Sequence, residues 1–142
     1  MKHIKIYTDG SSLGNPGFGG YCAILKYKDE EKIISEAFKD VTNNQMELLA
    51  VIEALKTIKE PCNVEIYSDS TYVVKAVNEW LTGWVKKNFK NVKNIDLWKQ
   101  YLEVSKSHTI QANWVKAHNG HPENERCDTI ARDVATKLKE GL

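Results

Sequence analysis

Two separated stretches of the chain each hold an aspartate in almost the same local sequence. Residues 6–11 read Ile-Tyr-Thr-Asp-Gly-Ser and residues 66–71 read Ile-Tyr-Ser-Asp-Ser-Thr, so Asp9 and Asp69 each follow a short β-favouring run. Because catalytic groups gather outside the carboxyl ends of strands in an α/β sheet, we expect the two carboxylates to meet there. Such acids repel each other unless a cation lies between them, so the pair predicts a divalent-metal site. The alternative is that each aspartate caps the following turn or helix.

Two further carboxylates are candidates for the same site. Glu47 lies near the start of a predicted helix, on the face that carries Ala50, and could reach the edge of the sheet. Its alternative role is a favourable interaction with the helix N-terminus. Asp128 lies beside the apolar stripe of the last predicted helix, and its alternative role is an ion pair with Arg132 or Lys137. Beside Asp9 and Asp69, both become candidate metal ligands.

His118 is the candidate for proton transfer. It stands in a short segment with Gly120, which favours movement, and imidazole titrates near neutral pH. His118 and His121 could also suggest zinc, but an HxxH spacing without a nearby CxxC or HExxH is a weak metal motif.

The elements that must position these residues follow a mixed pattern. Strands are predicted at residues 3–9, 21–27, 32–38, 63–68 and 109–115, with a glycine-rich turn over 14–20. Helices are predicted at residues 42–58, 70–80, 94–107 and 123–140, and Thr42 with Gln45 has the capping-box form. This order predicts an α/β fold with a five-stranded mixed sheet, an antiparallel meander plus parallel strands, flanked by helices. The first and fourth strands are the expected parallel neighbours.

Composition and charge predict an ordinary soluble protein. The chain has 142 residues, 42% hydrophobic and 27% charged, with a net charge of +1, which predicts one domain over residues 1–142. Its three cysteines form no CxxC pair, which fits a reducing compartment, and no signal-peptide pattern opens the sequence. Wholly apolar runs are too short for a membrane span. We expect a cytoplasmic monomer.

Five ordered motifs give the chain a specific resemblance. It resembles the type 1 ribonucleases H of the bacterial kind over nearly its full length. The motifs are TDGS with GNPG at residues 8–17, TNNQMEL at 42–48, SDS at 68–70, VKNIDLW at 92–98 and GHPENERCD at 120–128.

The resemblance implies an endoribonuclease with the ribonuclease H-like fold. Such an enzyme hydrolyses the RNA strand of RNA–DNA hybrids and leaves 5′-phosphate and 3′-hydroxyl ends. Two hard cations roughly 3.5–4 Å apart would clamp the attacking and leaving oxygens. The implied cations are two Mg²⁺, with Mn²⁺ as a substitute, and oxygen ligands suit them. The resemblance makes Asp9, Glu47, Asp69 and Asp128 their ligands and places His118 on a mobile loop that assists turnover.

The same resemblance implies contacts to both nucleic-acid strands. The amides of Asn15 and Asn44 both donate and accept, as the 2′-hydroxyl of RNA does. Residues 15–17 could instead be a simple turn. Thr42 and Asn94 match a phosphate pocket for the DNA strand.

A basic segment with tryptophans completes the expected DNA-strand channel. Trp80 and Trp84 are four residues apart, and beyond them, in a stretch without acids, lie Lys86, Lys87, Lys90 and Lys93. Together they offer a surface for sugars and attraction for phosphates. The alternative is that the tryptophans belong to the core and the lysines form a solvated face.

The chain departs from the family pattern at a few positions. Ala117 stands where a glycine is common, which would stiffen the loop, and Thr71 replaces a frequent glutamine, which puts a minor-groove contact in doubt. The lysine-rich segment is shorter than in the longest bacterial members. We expect no separate hybrid-binding module before the catalytic domain.

Three other functions share parts of the pattern. An actin-like ATPase also ends its first strand in Asp-Gly, but it needs two lobes, which 142 residues do not supply. A non-catalytic hybrid-binding module would not need the four carboxylates and His118. An integrase or junction resolvase shares the core but not the Asn15, Asn44 and lysine features.

Overall fold

The computed structural model describes residues 1–117 and 121–141, and one mixed sheet lies at its centre. The strands are β1 (Lys2–Ser12), β2 (Gly17–Tyr27), β3 (Glu30–Val41), β4 (Cys62–Ser68) and β5 (Thr109–Trp114). Their spatial order is β3-β2-β1-β4-β5. β1 to β3 pair antiparallel, whereas β4 pairs parallel to both β1 and β5. The predicted five-stranded mixed sheet is confirmed, with the first and fourth strands as parallel neighbours.

Helices cover both faces of the sheet. They are α1 (Asn43–Lys56), α2 (Thr71–Lys75), a π-helical turn (Ala76–Trp80), α3 (Leu81–Lys86), α4 (Ile95–Ser105) and α5 (Pro122–Glu140). The helical segment predicted to end at Trp80 continues to Lys86, because Leu81 is buried and keeps the chain on the core. None of the helices in the described ranges has both the length and the apolar character that crossing a bilayer requires.

Alternation along β1 divides the core into two layers. Ile6 packs in the large cluster that α1 contributes to, whereas Tyr7 packs with Cys22, Cys127 and Ala131 on the α5 side. Successive strand residues point to opposite faces, so one strand supplies both layers. β1 is therefore clamped between α1 and α5 just before it reaches Asp9.

The glycine-rich segment is largely strand, and the turn predicted over residues 14–20 is wrong in its second half. β2 begins at Gly17, and its pairing with β3 is irregular between Gly17 and Gly19. A Cβ atom at Gly20 would lie 2.6 Å from the Ala131 carbonyl oxygen. Any larger residue there would hold α5 away from β2, so this glycine serves close packing rather than a turn.

Candidate active site

Three acids converge beside the carboxyl ends of β1 and β4. Asp9 lies in β1, Asp69 directly follows β4, and Glu47 projects from near the start of α1. One ligand oxygen from each lies within 4.8 Å of the other two. These carboxylates are 38 and 22 positions apart in the sequence. The parallel β1–β4 pairing brings Asp9 and Asp69 together, and α1 places Glu47 beside them.

Gly10 allows the start of α1 to approach β1 closely enough for Glu47 to lie beside Asp9. The Gly10 N–H donates to Asp9 Oδ1 at 2.9 Å and to Glu47 Oε1 at 2.7 Å. A Cβ atom at Gly10 would lie 2.3 Å from the Glu47 nitrogen and 2.4 Å from the Met46 carbonyl carbon. The Ser68 hydroxyl donates to Glu47 Oε2 at 3.4 Å. A glycine is therefore required for this close approach, a role that the sequence analysis missed.

Burial and mutual repulsion make the pair Asp9 and Glu47 difficult to ionise without a cation. Their residues are only 6% and 7% exposed. Burial raises the pKa of Asp9 to about 7; a hydrogen bond with Glu47 opposes the shift, and the charges of Asp69 and Asp128 add to it. Burial, followed by the hydrogen bond and charge of Asp9, also raises the pKa of Glu47 well above its ordinary value. A divalent cation fits this set, because it would offset the repulsion that otherwise favours protons.

Asp128 lies at the same cleft but outside the close group. It lines the cleft together with Asp9 and Asp69. Across residues 1–117 and 121–141, however, the mutually close ligand set consists of Asp9, Glu47 and Asp69. Arg132 donates to Asp128 Oδ2 at 2.9 Å, so the alternative ion pair is present as well. Asp128 can serve the site only as its more peripheral carboxylate in this arrangement.

The structure describes one of the two histidines of the HxxH spacing, His121. His118 lies outside the described residues, so its predicted role in proton transfer stays a prediction. His121 precedes α5 and packs edge-on against the stacked rings of Tyr7 and Tyr67, at 5.4 and 4.7 Å between centroids. This packing anchors the start of α5 on the seam between β1 and β4, a role unrelated to zinc.

The two predicted RNA-contacting amides lie at the rim of the cleft. Asn44 lines it together with Asp9 and Glu47. Asn15 is exposed, and its Oδ1 accepts from the Asn43 N–H at 3.2 Å, which ties the loop before β2 to the start of α1. This bond occupies the Oδ1 atom of Asn15 and places Asn15 next to Asn43, the residue that precedes Asn44.

Thr42 caps α1, and Asn94 lines a hollow that Gln45 of the same cap also lines. The predicted capping box is confirmed: Thr42 Oγ1 accepts from the Gln45 N–H at 3.2 Å, and Gln45 Oε1 accepts from the Thr42 N–H at 3.0 Å. Gln45 and Asn94 line one cavity of about 450 Å³. Asn94 has a left-handed backbone (φ 59°), and its Nδ2 donates to the Tyr72 hydroxyl at 3.2 Å.

The tryptophans divide between core and surface. Trp84 packs against the buried Trp98, with 5.4 Å between their ring centroids. Trp80 is 39% exposed, and its ring centroid lies 5.9 Å from that of Trp84. Lys86 and Lys87 follow on the exposed surface. The core interpretation therefore applies in part to Trp84, and Trp80 remains available at the surface.

Comparisons with known proteins agree with the fold and show the family. The family model described as RNase H matches residues 1–136. Ribonuclease H of Campylobacter jejuni is 61% identical over 138 residues, which cover 97% of this chain and 94% of that protein. Ribonuclease HI of Helicobacter pylori is 61% identical over 137 residues, which cover 96% of each chain. The crystal structure of LC9-RNase H1, a type 1 RNase H, has a TM-score of 0.88 and 26% identity, covering 96% of this chain and 73% of that chain. The chain therefore belongs to the ribonuclease H family, as a type 1 member of the bacterial kind, and this family consists of endoribonucleases that degrade RNA in RNA–DNA hybrids.

Proposed function

We propose that this chain cleaves the RNA strand of an RNA–DNA hybrid at the cleft of Asp9, Glu47, Asp69 and Asp128. The reaction leaves 5′-phosphate and 3′-hydroxyl ends, and the cofactor is a pair of Mg²⁺ ions, for which Mn²⁺ can substitute. The observation that carries the proposal is the convergence of three carboxylate oxygens within 4.8 Å of one another. Carboxylates alone are the ligand set that hard divalent cations prefer.

The residues of the chain divide the work between holding cations and placing the substrate. Two bound cations supply charge stabilisation for the attacking and leaving oxygens of an in-line displacement. Asp9 and Glu47 are held in place by the Gly10 N–H, so the ligand set is fixed before substrate arrives. His118 follows Ala117, which lines the cleft beside Asp69, and we assign it to proton transfer.

The substrate duplex lies with its RNA strand over the cleft and its DNA strand along the lysine-rich segment. Asn15 and Asn44 contact the 2′-hydroxyl groups of the RNA strand. The DNA strand contacts Thr42 and Asn94, and then Trp80, Trp84, Lys86 and Lys87. The protein acts as a cytoplasmic monomer.

A substrate panel tests the proposal. The full chain is incubated with end-labelled RNA–DNA hybrid, duplex RNA and duplex DNA, each with Mg²⁺ or with a chelator. We expect cleavage of the RNA strand of the hybrid alone, only with Mg²⁺, and 5′-phosphate product ends. Cleavage that persists in chelator, or that falls equally on duplex DNA, would contradict the proposal.

Gly10→Ala should lower cleavage more than its small size suggests. The new Cβ would push α1 outward and displace Glu47, and a displacement of about 1 Å can cost 10²-fold in rate. We also expect a loss of about 1–3 kcal/mol in the free energy of unfolding. The matched control is Gly83→Ala, because a Cβ at Gly83 in α3 meets no atom within 4 Å. Because Gly83 lies among the proposed DNA-strand contacts, the two variants are compared by kcat at saturating hybrid. Equal kcat values would refute the packing role of Gly10.

Replacing Lys86 and Lys87 together with alanine should weaken hybrid binding and flatten its dependence on salt. Each lost phosphate contact reduces the slope of log affinity against log salt by about 0.9. The control removes Lys32 and Lys59, two exposed lysines that line a groove at the far end of the sheet from the cleft. Binding isotherms at several salt concentrations decide the matter. The same slope for both double variants would count against the channel.

A further inference from the structure

One side chain outside the carboxylate set joins the strands that carry Asp9 and Asp69. Asn124 lies in the first turn of α5, and its Nδ2 donates to the Tyr67 carbonyl oxygen at 2.9 Å and to the Thr8 carbonyl oxygen at 3.4 Å. Thr8 directly precedes Asp9, and Tyr67 comes two residues before Asp69. A single amide group therefore bridges the backbone of both strands beside the acids.

The bridge stands where the parallel ladder ends. Pairing between β1 and β4 runs from Lys2 with Cys62 to Tyr7 with Tyr67. Asp9 and Asp69 each come two residues after this last pair. On the side of β4 that faces β5, the Val115 N–H donates to the Ser68 carbonyl oxygen at 2.9 Å and holds the strand end. Asn124 supplies the corresponding link on the edge that faces β1.

An amide is well suited to this position. Asparagine and glutamine are the uncharged side chains with two N–H donors on one nitrogen, so one group can serve two carbonyl oxygens. Lysine and arginine also offer several donors, but their positive charge would repel a divalent cation held by the neighbouring carboxylates.

Asn124 also faces the site itself. Together with Thr8, Asp9, Asp69 and Asp128 it lines a cavity of about 10 Å³. The Asn124 Oδ1 and Thr8 Oγ1 atoms are buried and have no hydrogen-bond partner within the part of the chain that the structure describes. Because Asn124 precedes Asp128 by four residues, the same contacts fix the face of α5 that carries that acid.

We propose that Asn124 is a positioning residue whose amide sets the spacing of Asp9 and Asp69 across the end of the β1–β4 ladder, and thereby the affinity of the site for divalent cations. The inference rests on the proposed metal site. Asn124 acts through the strand ends and not as a metal ligand, so its loss weakens cation binding and turnover while substrate affinity is kept.

The test compares two variants of Asn124 with a matched asparagine. Asn124→Ala removes the amide, and Asn124→Leu removes it while keeping the volume. Asn113→Ala is the control, because Asn113 Nδ2 also donates to a β4 carbonyl oxygen, that of Ile66, at 3.3 Å. Mn²⁺ binding to the full chain is followed by the electron paramagnetic resonance signal of free Mn²⁺, with Asp9→Asn as the reference for a lost site.

We expect both Asn124 variants to bind Mn²⁺ about 10–100-fold more weakly, as is typical when partners of metal ligands are removed. Their kcat for the hybrid falls, KM stays the same, and higher Mn²⁺ restores part of the rate. Asn113→Ala binds Mn²⁺ as the unmodified chain does.

Three results would overturn the inference: unchanged Mn²⁺ affinity in the Asn124 variants, an equal loss in Asn113→Ala, or failure of both Asn124 variants to unfold cooperatively. The last would make Asn124 a residue of the fold as a whole. If the unmodified chain has no Mn²⁺ binding that Asp9→Asn abolishes, the proposed metal site itself fails, which is a separate outcome.

Discussion

Asp9→Asn should abolish cleavage of an RNA–DNA hybrid and leave the chain folded, with a more stable metal-free form at neutral pH. Asp9 accepts a hydrogen bond from the Gly10 N–H, and one of its ligand oxygens lies within 4.8 Å of those of Glu47 and Asp69. An amide in its place is a poorer cation ligand, so several kcal/mol of charge stabilisation are lost and the rate falls by at least about 10³-fold. Cleavage assays with Mg²⁺ measure this loss.

The gain in stability has a defined dependence on pH. The pKa of Asp9 in the folded chain is raised to about 7, above the value of 3.8 for a free side chain. Between these two values the folded state binds more protons than the unfolded state, so the free energy of unfolding falls as pH rises. Above pH 7 the full cost of the buried charge is present. Asp9→Asn removes that cost, so we expect the substitution to raise the free energy of unfolding by about 1–3 kcal/mol at pH 8 but by little at pH 4.

Denaturant unfolding in chelator at the two pH values measures the effect. Asp133→Asn is the matched control, since Asp133 lies on the exposed face of α5 in an ion pair with Lys137. It should alter neither cleavage nor the pH profile. Near-normal cleavage by Asp9→Asn would remove Asp9 from the proposed site, and a variant that is less stable at pH 8 would contradict the raised pKa of Asp9.

Glu47→Gln should be far more damaging than Asp128→Asn. Glu47 is buried within the close group, and its two oxygens accept from Gly10 and Ser68. Its replacement removes a ligand whose position is fixed, and we expect a loss of about 10²–10³-fold in kcat, the range typical of a lost preorganised electrostatic contact. Asp128 lies outside that group and is paired with Arg132. We expect Asp128→Asn to lose about tenfold, mostly as a higher Mg²⁺ requirement.

Titrating activity against Mg²⁺ for both variants separates a weaker cation site from a defective one. Glu47→Gln should stay slow at saturating Mg²⁺, whereas Asp128→Asn should recover. The reverse order, or equal losses, would show that Asp128 belongs to the inner ligand set when substrate is bound.

Local sequence was sufficient to predict the pairing of Asp9 with Asp69. Both follow apolar runs with the same alternation, and the rule for connections between parallel strands makes those runs neighbours. Glu47 could be predicted as part of the same site from its position on the helix face that carries Ala50. These inferences succeed because strand and helix periodicity are properties of neighbouring residues.

Long-range packing could not be predicted in the same way. Gly20 lies opposite the Ala131 carbonyl oxygen, more than a hundred positions away, so a glycine that serves packing resembled a turn. Asn124 bonds to Thr8 and Tyr67, and nothing in the sequence around it reports those partners. For Asp128, the helical pattern predicted that the residue lies beside the buried face of α5, but it could not predict how far the carboxylate lies from Asp9.

Locating cations directly is the most decisive measurement. Crystals of the full chain soaked in Mn²⁺ are measured at the manganese absorption edge, where anomalous scattering identifies the metal. We expect a peak at about 2.1 Å from carboxylate oxygens of the Asp9, Glu47 and Asp69 cluster, the distance typical of small hard cations. With an RNA–DNA hybrid bound to Asp9→Asn, the peak should be weakened or lost. Crystals with Mn²⁺ elsewhere and none between these three side chains would contradict the account.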